Sequence, residues 1–273
     1  MSIRILLSLS VLSLSLLQAC GGDGGSGGDA APAALTLNVP AAEEPAAADI
    51  GAVSARFVAN ENARSILLSK SAQSIGSAVP TEQADSGAMV RIGSKTLSGD
   101  HQTVDIAGDA HFALGRWVKG TLTRDTETVT LQGQDHESYH YIVYNRLAAL
   151  PLDGQLQCES VAATAPTALS DTHQKLGSAS GSASVSFDPS GAVIQGTMQV
   201  HAGAQSASVD LSTAIQHPPA VSATGRMFAN GPGAAIVLAN LGDAVPGLVV
   251  GYRAQLPGGD LYLGVARFTC TPM

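Results

Sequence analysis

Two histidines and a glutamate form the pattern most capable of chemistry in this sequence. His136, Glu137 and His140 match H-E-x-x-H, which on a helix places both imidazoles on one face to bind zinc, with the glutamate as general base. Residues 139–144 are aromatic and β-branched side chains broken only by His140, and such a run favours a strand. In a strand the two histidines would lie about 13 Å apart, too far to share one ion. A zinc metallopeptidase is therefore a remote alternative that requires a helix here, and we expect no metal site.

Other catalytic patterns are absent from the sequence. Outside the glycine tract 21–28, it contains no G-x-S-x-G elbow, no phosphate-binding P-loop and no G-x-G-x-x-G motif. The carboxylates are scattered and mostly stand next to turn residues, as at Asp125, Asp153 and Asp243. We therefore expect no enzyme, no catalytic residue and no cofactor.

The N-terminal segment has the layout of an export signal. One early cation, Arg4, precedes an apolar stretch, 5–17, that is too short to span about 30 Å of hydrocarbon as a mature helix. The run 17–20 resembles a bacterial lipobox. That resemblance implies a signal peptide over 1–19, cleavage before Cys20, and acylation of the sulfur and the new amino group by palmitate and similar chains. An ordinary signal with a chance cysteine at its boundary is the alternative.

Acylation of Cys20 would decide where the protein works. Each buried methylene adds about 0.8 kcal/mol of membrane affinity, so several chains hold a protein in the bilayer essentially permanently. Gly21, not aspartate, follows Cys20, and by resemblance to the lipoprotein sorting rule this favours the bacterial outer membrane. We expect the cell surface rather than the periplasmic face.

Two further cysteines, Cys158 and Cys270, could form a disulfide. An exported protein meets an oxidising space, so a bond between them is the default expectation, worth about 4 to 5 kcal/mol in the chain-entropy model. Closing a barrel brings early and late strands together, whereas one intervening strand would hold the two residues about 10 Å apart. Two buried free thiols are the alternative.

The composition favours β-structure and argues against a nucleic-acid partner. The 273 residues include 30 glycines, and only 13% are charged and 4% aromatic, a small-residue texture that favours turns and strands over long helices. The net charge is −8 and no cluster of lysine or arginine occurs. Such a surface is repelled by phosphate backbones and anionic head groups, so the membrane must be reached through the lipid on Cys20.

The chain divides into four predicted segments. Residues 1–19 are the lipoprotein signal peptide, and 20–50 are the acylated cysteine and a flexible linker rich in glycine, alanine and proline. Residues 51–109 are the N-terminal part of the globular region, in which near-helical spacing of apolar residues predicts a helix over 53–74. Residues 110–273 are an antiparallel β-barrel domain.

Short strands separated by turn residues recur about every ten residues from residue 87 onward. Several alternate serine or aspartate with apolar side chains, so that one face of each strand would be buried. This pattern predicts an all-β fold, an antiparallel barrel of about eight strands. The predicted strands are 88–92, 111–123, 126–132, 139–145, 155–161, 181–187, 192–201, 205–211, 223–228, 234–238, 248–256 and 260–268.

Several short segments of this region together resemble one family. They are 115–117, 139–143, 150–154, 165–167, 181–187, 247–252 and 264–268. In this order they are similar to the β-barrel domain of transferrin-binding-protein-B-like surface lipoproteins, a group that includes factor H binding protein. The resemblance covers about residues 110 to 270. It implies an eight-stranded barrel that serves at the outer membrane as a binding scaffold for a host protein, a nutrient carrier or a small ligand.

Trp117 is the one tryptophan of the chain. Gly115 and Gly120 flank it in a predicted strand, where glycine leaves room for a large ring over the backbone. We expect Trp117 to fill the barrel core, with stacking against a ligand as the alternative. Arg116 would point to the opposite side of the sheet, into solvent.

Two functional classes follow from these features. The first is a surface lipoprotein whose barrel rim and loops bind a partner. The second is a periplasm-facing lipoprotein with a structural or accessory role in the envelope. Protease treatment of intact cells distinguishes the two, because only a surface protein would be removed.

Overall fold

A computed structural model describes residues 48–171, 175–219 and 221–273. The predicted signal peptide, Cys20 and nearly all of the predicted linker lie outside these ranges. The described residues, from 48 to Met273, belong to one compact unit. The described residues form strands and two one-turn 3-10 helices, Asp135–Glu137 and Met227–Ala229. The prediction of an all-β fold is therefore confirmed.

Nine strands lie between residues 48 and 150, and we call them the N-terminal region. Some turns between them need a positive φ, which Gly93 (60°) and Asp125 (52°) supply. The strands are β1 (Gly51–Val53), β2 (Ala63–Leu68), β3 (Gln73–Ser77), β4 (Thr81–Gln83), β5 (Met89–Ile92), β6 (Lys95–Asp109), β7 (Phe112–Arg124), β8 (Glu127–Gln132) and β9 (Tyr139–Arg146).

The helix predicted over 53–74 is wrong, because this stretch contains β2 and β3. Ile66, Leu67 and Leu68 are consecutive and all buried. Leu67 packs into the apolar cluster around Trp117, and its two neighbours pack into the cluster on the other face of the sheet. A strand covered on both faces reads as a continuous apolar run, and the period-two signal disappears.

Strand β7 organises the N-terminal region. It pairs with β6 along one edge and with β9 and β8 along the other. Strand β9 pairs with β2, and β2 pairs with β3. Strands β4 and β5 extend from β6, and β1 pairs with β6 in parallel. The boundary expected at residue 110 thus falls in the turn between two paired strands.

Ten strands, which we call the C-terminal region, follow. Where a strand was predicted over 223–228, only Ser222–Ala223 is extended, because Gly225 (φ 56°) turns the chain into the second 3-10 helix. The strands are β10 (Gln155–Ala163), β11 (Thr167–Ala168), β12 (Ser178–Asp188), β13 (Gly191–Ala202), β14 (Gln205–Asp210), β15 (Thr213–Gln216), β16 (Ser222–Ala223), β17 (Gly233–Asn240), β18 (Gly247–Gln255) and β19 (Leu261–Pro272).

The C-terminal strands pair in the order β17-β18-β19-β10-β12-β13, all antiparallel. Strands β14 and β15 lie on the outer edge of β13, β11 pairs with β19, and β16 pairs with β17. Strand β17 also meets β9 at Asn240 and Asn145. All nineteen strands described here therefore belong to one connected sheet.

This sheet is not closed, so the expectation of a closed barrel over 110–273 is wrong on that point. Across the described residues no ladder joins β14 or β15 to β16 or β17. Side-chain hydroxyls bridge the opening instead: Thr224 Oγ1 donates to Asp210 O (2.6 Å), and the Thr213 and Ser222 hydroxyls bond to each other. Pro219, in the connection across the opening, has no N–H to extend a ladder.

Three apolar clusters fill the molecule. One lies within the C-terminal region and includes Val185 and Phe268. A second lies within the N-terminal region around Trp117. The third combines Leu114 of β7 with Val249 of β18, so it joins the two regions face to face. Each such buried side chain contributes about 1.5 to 3 kcal/mol through removal from water.

Candidate functional site

Cys158 and Cys270 form a disulfide in the structure. They lie directly opposite each other where β10 pairs with β19, with their Cα atoms 4.0 Å apart. No strand intervenes between β10 and β19, and the register places the two cysteines opposite each other, so strand order and register together account for the bond. Its sulfurs are consumed in a covalent link between two strands. Cys20, the predicted acylation site, lies outside the described residues.

The H-E-x-x-H residues do not share a helix. His136 and Glu137 belong to a single 3-10 turn, and His140 is in β9. Both ring nitrogens of His140 are hydrogen-bonded, Nδ1 to Thr164 Oγ1 (2.7 Å) and Nε2 to Thr167 Oγ1 (2.8 Å). In the part of the chain that the structure describes, no group of three His, Cys, Asp or Glu residues could hold a metal ion.

Trp117 is fully buried in the N-terminal region, so no face of its ring is open to a ligand. Its Nε1–H donates to Met89 O (2.6 Å), and its ring packs against Tyr141 at 5.2 Å between centroids. Tyr141 Oη in turn accepts a hydrogen bond from Met89 N (3.0 Å). A Cβ at Gly115 would lie 2.5 Å from that same hydroxyl oxygen, which explains the glycine beside the tryptophan. This group fastens β5 to the sheet.

Arg116 is buried, so the expectation that it points into solvent is wrong. Only 2% of its side chain is exposed. Its Nε donates to Asp105 Oδ2 (3.0 Å), and its Nη1 pairs with Asp135 Oδ1. The alternation assigned the Arg116 face of β7 to solvent, but at Arg116 this face is covered by the chain that connects β10 to β11. Asp105 Oδ2 also accepts from Ala165 N in that connection (3.1 Å).

His140 belongs to the same buried polar group, directly opposite Arg116 in the pairing of β7 with β9. Burial, with the nearby Arg116 charge, holds the pKa of His140 well below its usual value, so the ring stays neutral. Its partner Thr164 also accepts from Val265 N of β19 (3.1 Å). We call Asp105, Arg116, Asp135, His140, Thr164 and Thr167 the buried polar cluster; its charges and rings are paired within the chain, which suits a structural role.

A groove of about 580 Å³ opens beside this cluster, between β6, β10 and the start of β12. The ladder between β10 and β12 ends at Glu159 and Ser182. Beyond that pair a bulge at 160–162 bends β10, and the two strands separate. Side chains that line the groove are mostly alanine, serine and glycine, while Val161 on the bulge is 55% exposed.

A second concavity, of about 220 Å³, lies at the far end of β9. Arg64 of β2 is directly opposite Tyr144 of β9, and Arg146 follows two residues later on the same face. Ile75, Gly76, Pro219 and Val221 complete the wall. We call this the two-arginine pocket. The spacing of Tyr144 and Arg146 on one face of β9 can be recognised in the sequence. Arg64 could not be placed beside them, because the sequence pattern wrongly predicted a helix over β2.

No family model matches the chain, and no curated protein matches it. Within the described residues no helix is long and apolar enough to cross a bilayer. The groove, the two-arginine pocket and the sequence signals are the features that bear on function.

Proposed function

We propose that this protein is an outer-membrane lipoprotein, anchored through acylated Cys20, whose β-structure is a scaffold that binds a protein partner and not an enzyme. The observation that carries the proposal is the groove between β10 and β12. We infer that an extended segment of the partner lies in this groove and adds to the separated strands.

The groove has the properties that such strand addition needs. An added strand is held by main-chain hydrogen bonds, so the receiving backbone must be open to close approach. Ser178, Ala179 and Ser180 at the start of β12 have small side chains, and β12 has lost its ladder to β10 at this point. Val161 offers apolar contact on the opposite wall.

The scarcity of charged side chains in the groove indicates that the bound segment of the partner is neutral. Among the described residues that line the groove, Asp105 is the one charged side chain, and its carboxylate is already bonded to Arg116 and Ala165 N. A partner residue with a charge would lose hydration here without finding an opposite charge. Alternating small polar and apolar side chains fit best.

The resemblance to transferrin-binding-protein-B-like lipoproteins and the antiparallel fold support a binding scaffold at the outer membrane. The lipobox-like run before Cys20 supports the anchor. We propose the cell surface as the location, and the periplasmic face with an accessory role is the alternative that the experiments below distinguish.

A random peptide library displayed on phage tests the groove. Peptides selected on the full-length protein should slow amide hydrogen exchange at 178–180. The substitution Ser178→Arg should weaken their binding at least tenfold by filling the groove. Ser186→Arg, an exposed serine on the same strand where β12 still pairs with β10, is the matched control. Equal binding to both variants would rule the groove out.

The anchor and location have a separate test. Wild-type protein should partition into detergent, and Cys20→Ala should leave it uncleaved or soluble. Protease treatment of intact cells should remove the wild type if it faces outward. Normal outer-membrane fractionation of the Cys20→Ala variant would overturn the lipoprotein assignment, and full protection from protease would favour the periplasmic face.

A further inference from the structure

We propose that the two-arginine pocket is a binding site for an oxyanion, the carboxylate or phosphate group of a small molecule. It shares no lining residue with the groove, and it stands whether or not the groove binds a peptide. Three hydrogen-bond donors, Arg64, Tyr144 and Arg146, line this one small concavity.

The arginines lack carboxylate partners. Five other arginines form ion pairs with aspartate or glutamate, at positions 56, 91, 116, 124 and 267. In the described part of the chain, neither Arg64 nor Arg146 has a carboxylate within ion-pairing distance. Arg146 donates to a backbone carbonyl, Pro219 O, through Nη2 (2.5 Å). Most N–H groups of the two guanidinium groups are therefore without a partner among the described residues. The planar arrangement of these donors matches the geometry of carboxylate and phosphate oxygens.

Tyr144 supplies the second, independent observation. Its side chain is 1% exposed, and its hydroxyl is buried with no hydrogen-bond partner. A buried polar group without a partner costs about 1 to 3 kcal/mol, so native proteins rarely leave one. Tyr144 lines the pocket, and its hydroxyl is a buried donor for which the described part of the chain supplies no acceptor.

The electrostatics of Tyr144 agree with its position between the arginines. Burial raises the pKa of Tyr144, and the charges of Arg64 and Arg146 act in the opposite direction. The strand pairing is consistent with this, since Arg64 lies opposite Tyr144 and Arg146 lines the same pocket. Burial prevails, so the hydroxyl keeps its proton and remains a donor.

The size of the pocket and the residues of its wall limit which ligands can fit. About 220 Å³ accommodates an anionic head group and a short organic chain rather than a large cofactor. Ile75, Pro219 and Val221 form an apolar wall beside the donors. A Cβ at Gly76 would meet no atom within 4 Å, so the space beside it is open. A small organic acid or a phosphorylated small molecule fits this arrangement.

Isothermal titration of the full chain tests the site. The probes are butyrate, its uncharged analogue butyramide, and inorganic phosphate, all at low ionic strength, where charge-assisted binding is strongest. Butyrate or phosphate should bind and butyramide should not. The stronger of the two anions identifies the source as carboxylate or phosphate.

Three substitutions and one control variant test whether the anion binds in the two-arginine pocket. Arg64→Gln and Arg146→Gln should each weaken the anion at least about tenfold, and Tyr144→Phe about fivefold. Arg91→Gln removes one positive charge from an exposed pair with Glu82 and should bind as the wild type does. Tyr144→Phe preserves volume and tests the site even if an arginine variant misfolds. Absence of anion binding, equal binding of butyramide, or equal losses in Arg91→Gln would each overturn the proposal.

Discussion

The inward face of β9 ends in two polar groups that are built from similar residues and completed differently. At one end His140 lies opposite Arg116, and at the other Tyr144 lies opposite Arg64. Ile142 between them packs into the apolar cluster that joins the two regions. Both ends therefore combine a buried ring with an arginine from a neighbouring strand.

The difference lies in the acceptors. The chain supplies Asp105 and Asp135 to Arg116, and threonine hydroxyls to the His140 ring. It supplies no carboxylate to Arg64 among the described residues, and no partner to the Tyr144 hydroxyl. A donor group completed from within holds the fold together, whereas one left incomplete at an open pocket is suited to a ligand.

The largest expected effect is at the completed end. Arg116→Met should lower the free energy of unfolding by about 2 kcal/mol, because it removes the charge-assisted hydrogen bonds of a buried guanidinium to Asp105 and Asp135, whose side chains are 23% and 37% exposed. Urea denaturation measures it. Arg64→Met is the matched variant and should change stability by less than about 0.5 kcal/mol. If both variants lost the same stability, both arginines would be structural, and the proposed difference between the two ends of β9 would be wrong.

The second prediction concerns pH and His140. Its pKa is lower in the folded than in the unfolded chain, so unfolded protein binds the extra proton as pH falls below about 6.5. Stability is therefore fully present above about pH 6.5 and falls at lower pH, by up to about 1.4 kcal/mol per unit. Urea melts of wild type and His140→Gln between about pH 7 and 5 should show a shallower slope in the variant. Parallel slopes would contradict the prediction.

A smaller loss should follow from Asp135→Asn. The carboxylate of Asp135 is 37% exposed, and the amide oxygen can still accept from Arg116, so we expect about 1 kcal/mol. Thermal unfolding of Asp135→Asn measures this loss, and Asp105→Asn, measured in parallel, shows which carboxylate contributes more. Asp105 is less exposed and also accepts from Ala165 N, so its variant should lose more; the reverse order would assign the main ion pair to Asp135.

The smallest effect should be at the incomplete end. Tyr144→Phe removes a buried hydroxyl that has no partner, so stability should stay within about 0.5 kcal/mol of the wild type or rise. Differential scanning calorimetry of the ligand-free protein measures this. A loss above about 1 kcal/mol would reveal a structural hydrogen bond and would remove the contrast between the two ends.

Strands with one exposed face could be predicted from the sequence. Strands β12 and β14 alternate serine with apolar residues, and β13 alternates other polar residues with apolar ones over 197–202. The bounds of all three in the structure lie within a few residues of those expected. Strand β2 could not be recognised, since packing on both faces removes the alternation. Strand β6 was missed because it is largely polar and broken by bulges at 98–102 and 104–107.

The site residues depended on tertiary contacts that no local pattern records. Alternation correctly put Arg116 and Trp117 on opposite faces of β7, but it could not show that the connection from β10 to β11 covers the arginine. The bond between Cys158 and Cys270 was expected from their number and from export. The two-arginine pocket required the pairing of β2 with β9, which unites residues 80 positions apart in Arg64 and Tyr144.

The Cys158–Cys270 bond also constrains the timing of folding. In a chain that emerges N-terminus first, β2 to β9 can pair among themselves, but β10 must wait for β19, whose cysteine is 112 residues further along. During that interval one edge of β10 is unpaired and Cys158 is a free thiol. Open strand edges associate with other chains. A longer delay before β19 is available should therefore increase the share of the protein that aggregates.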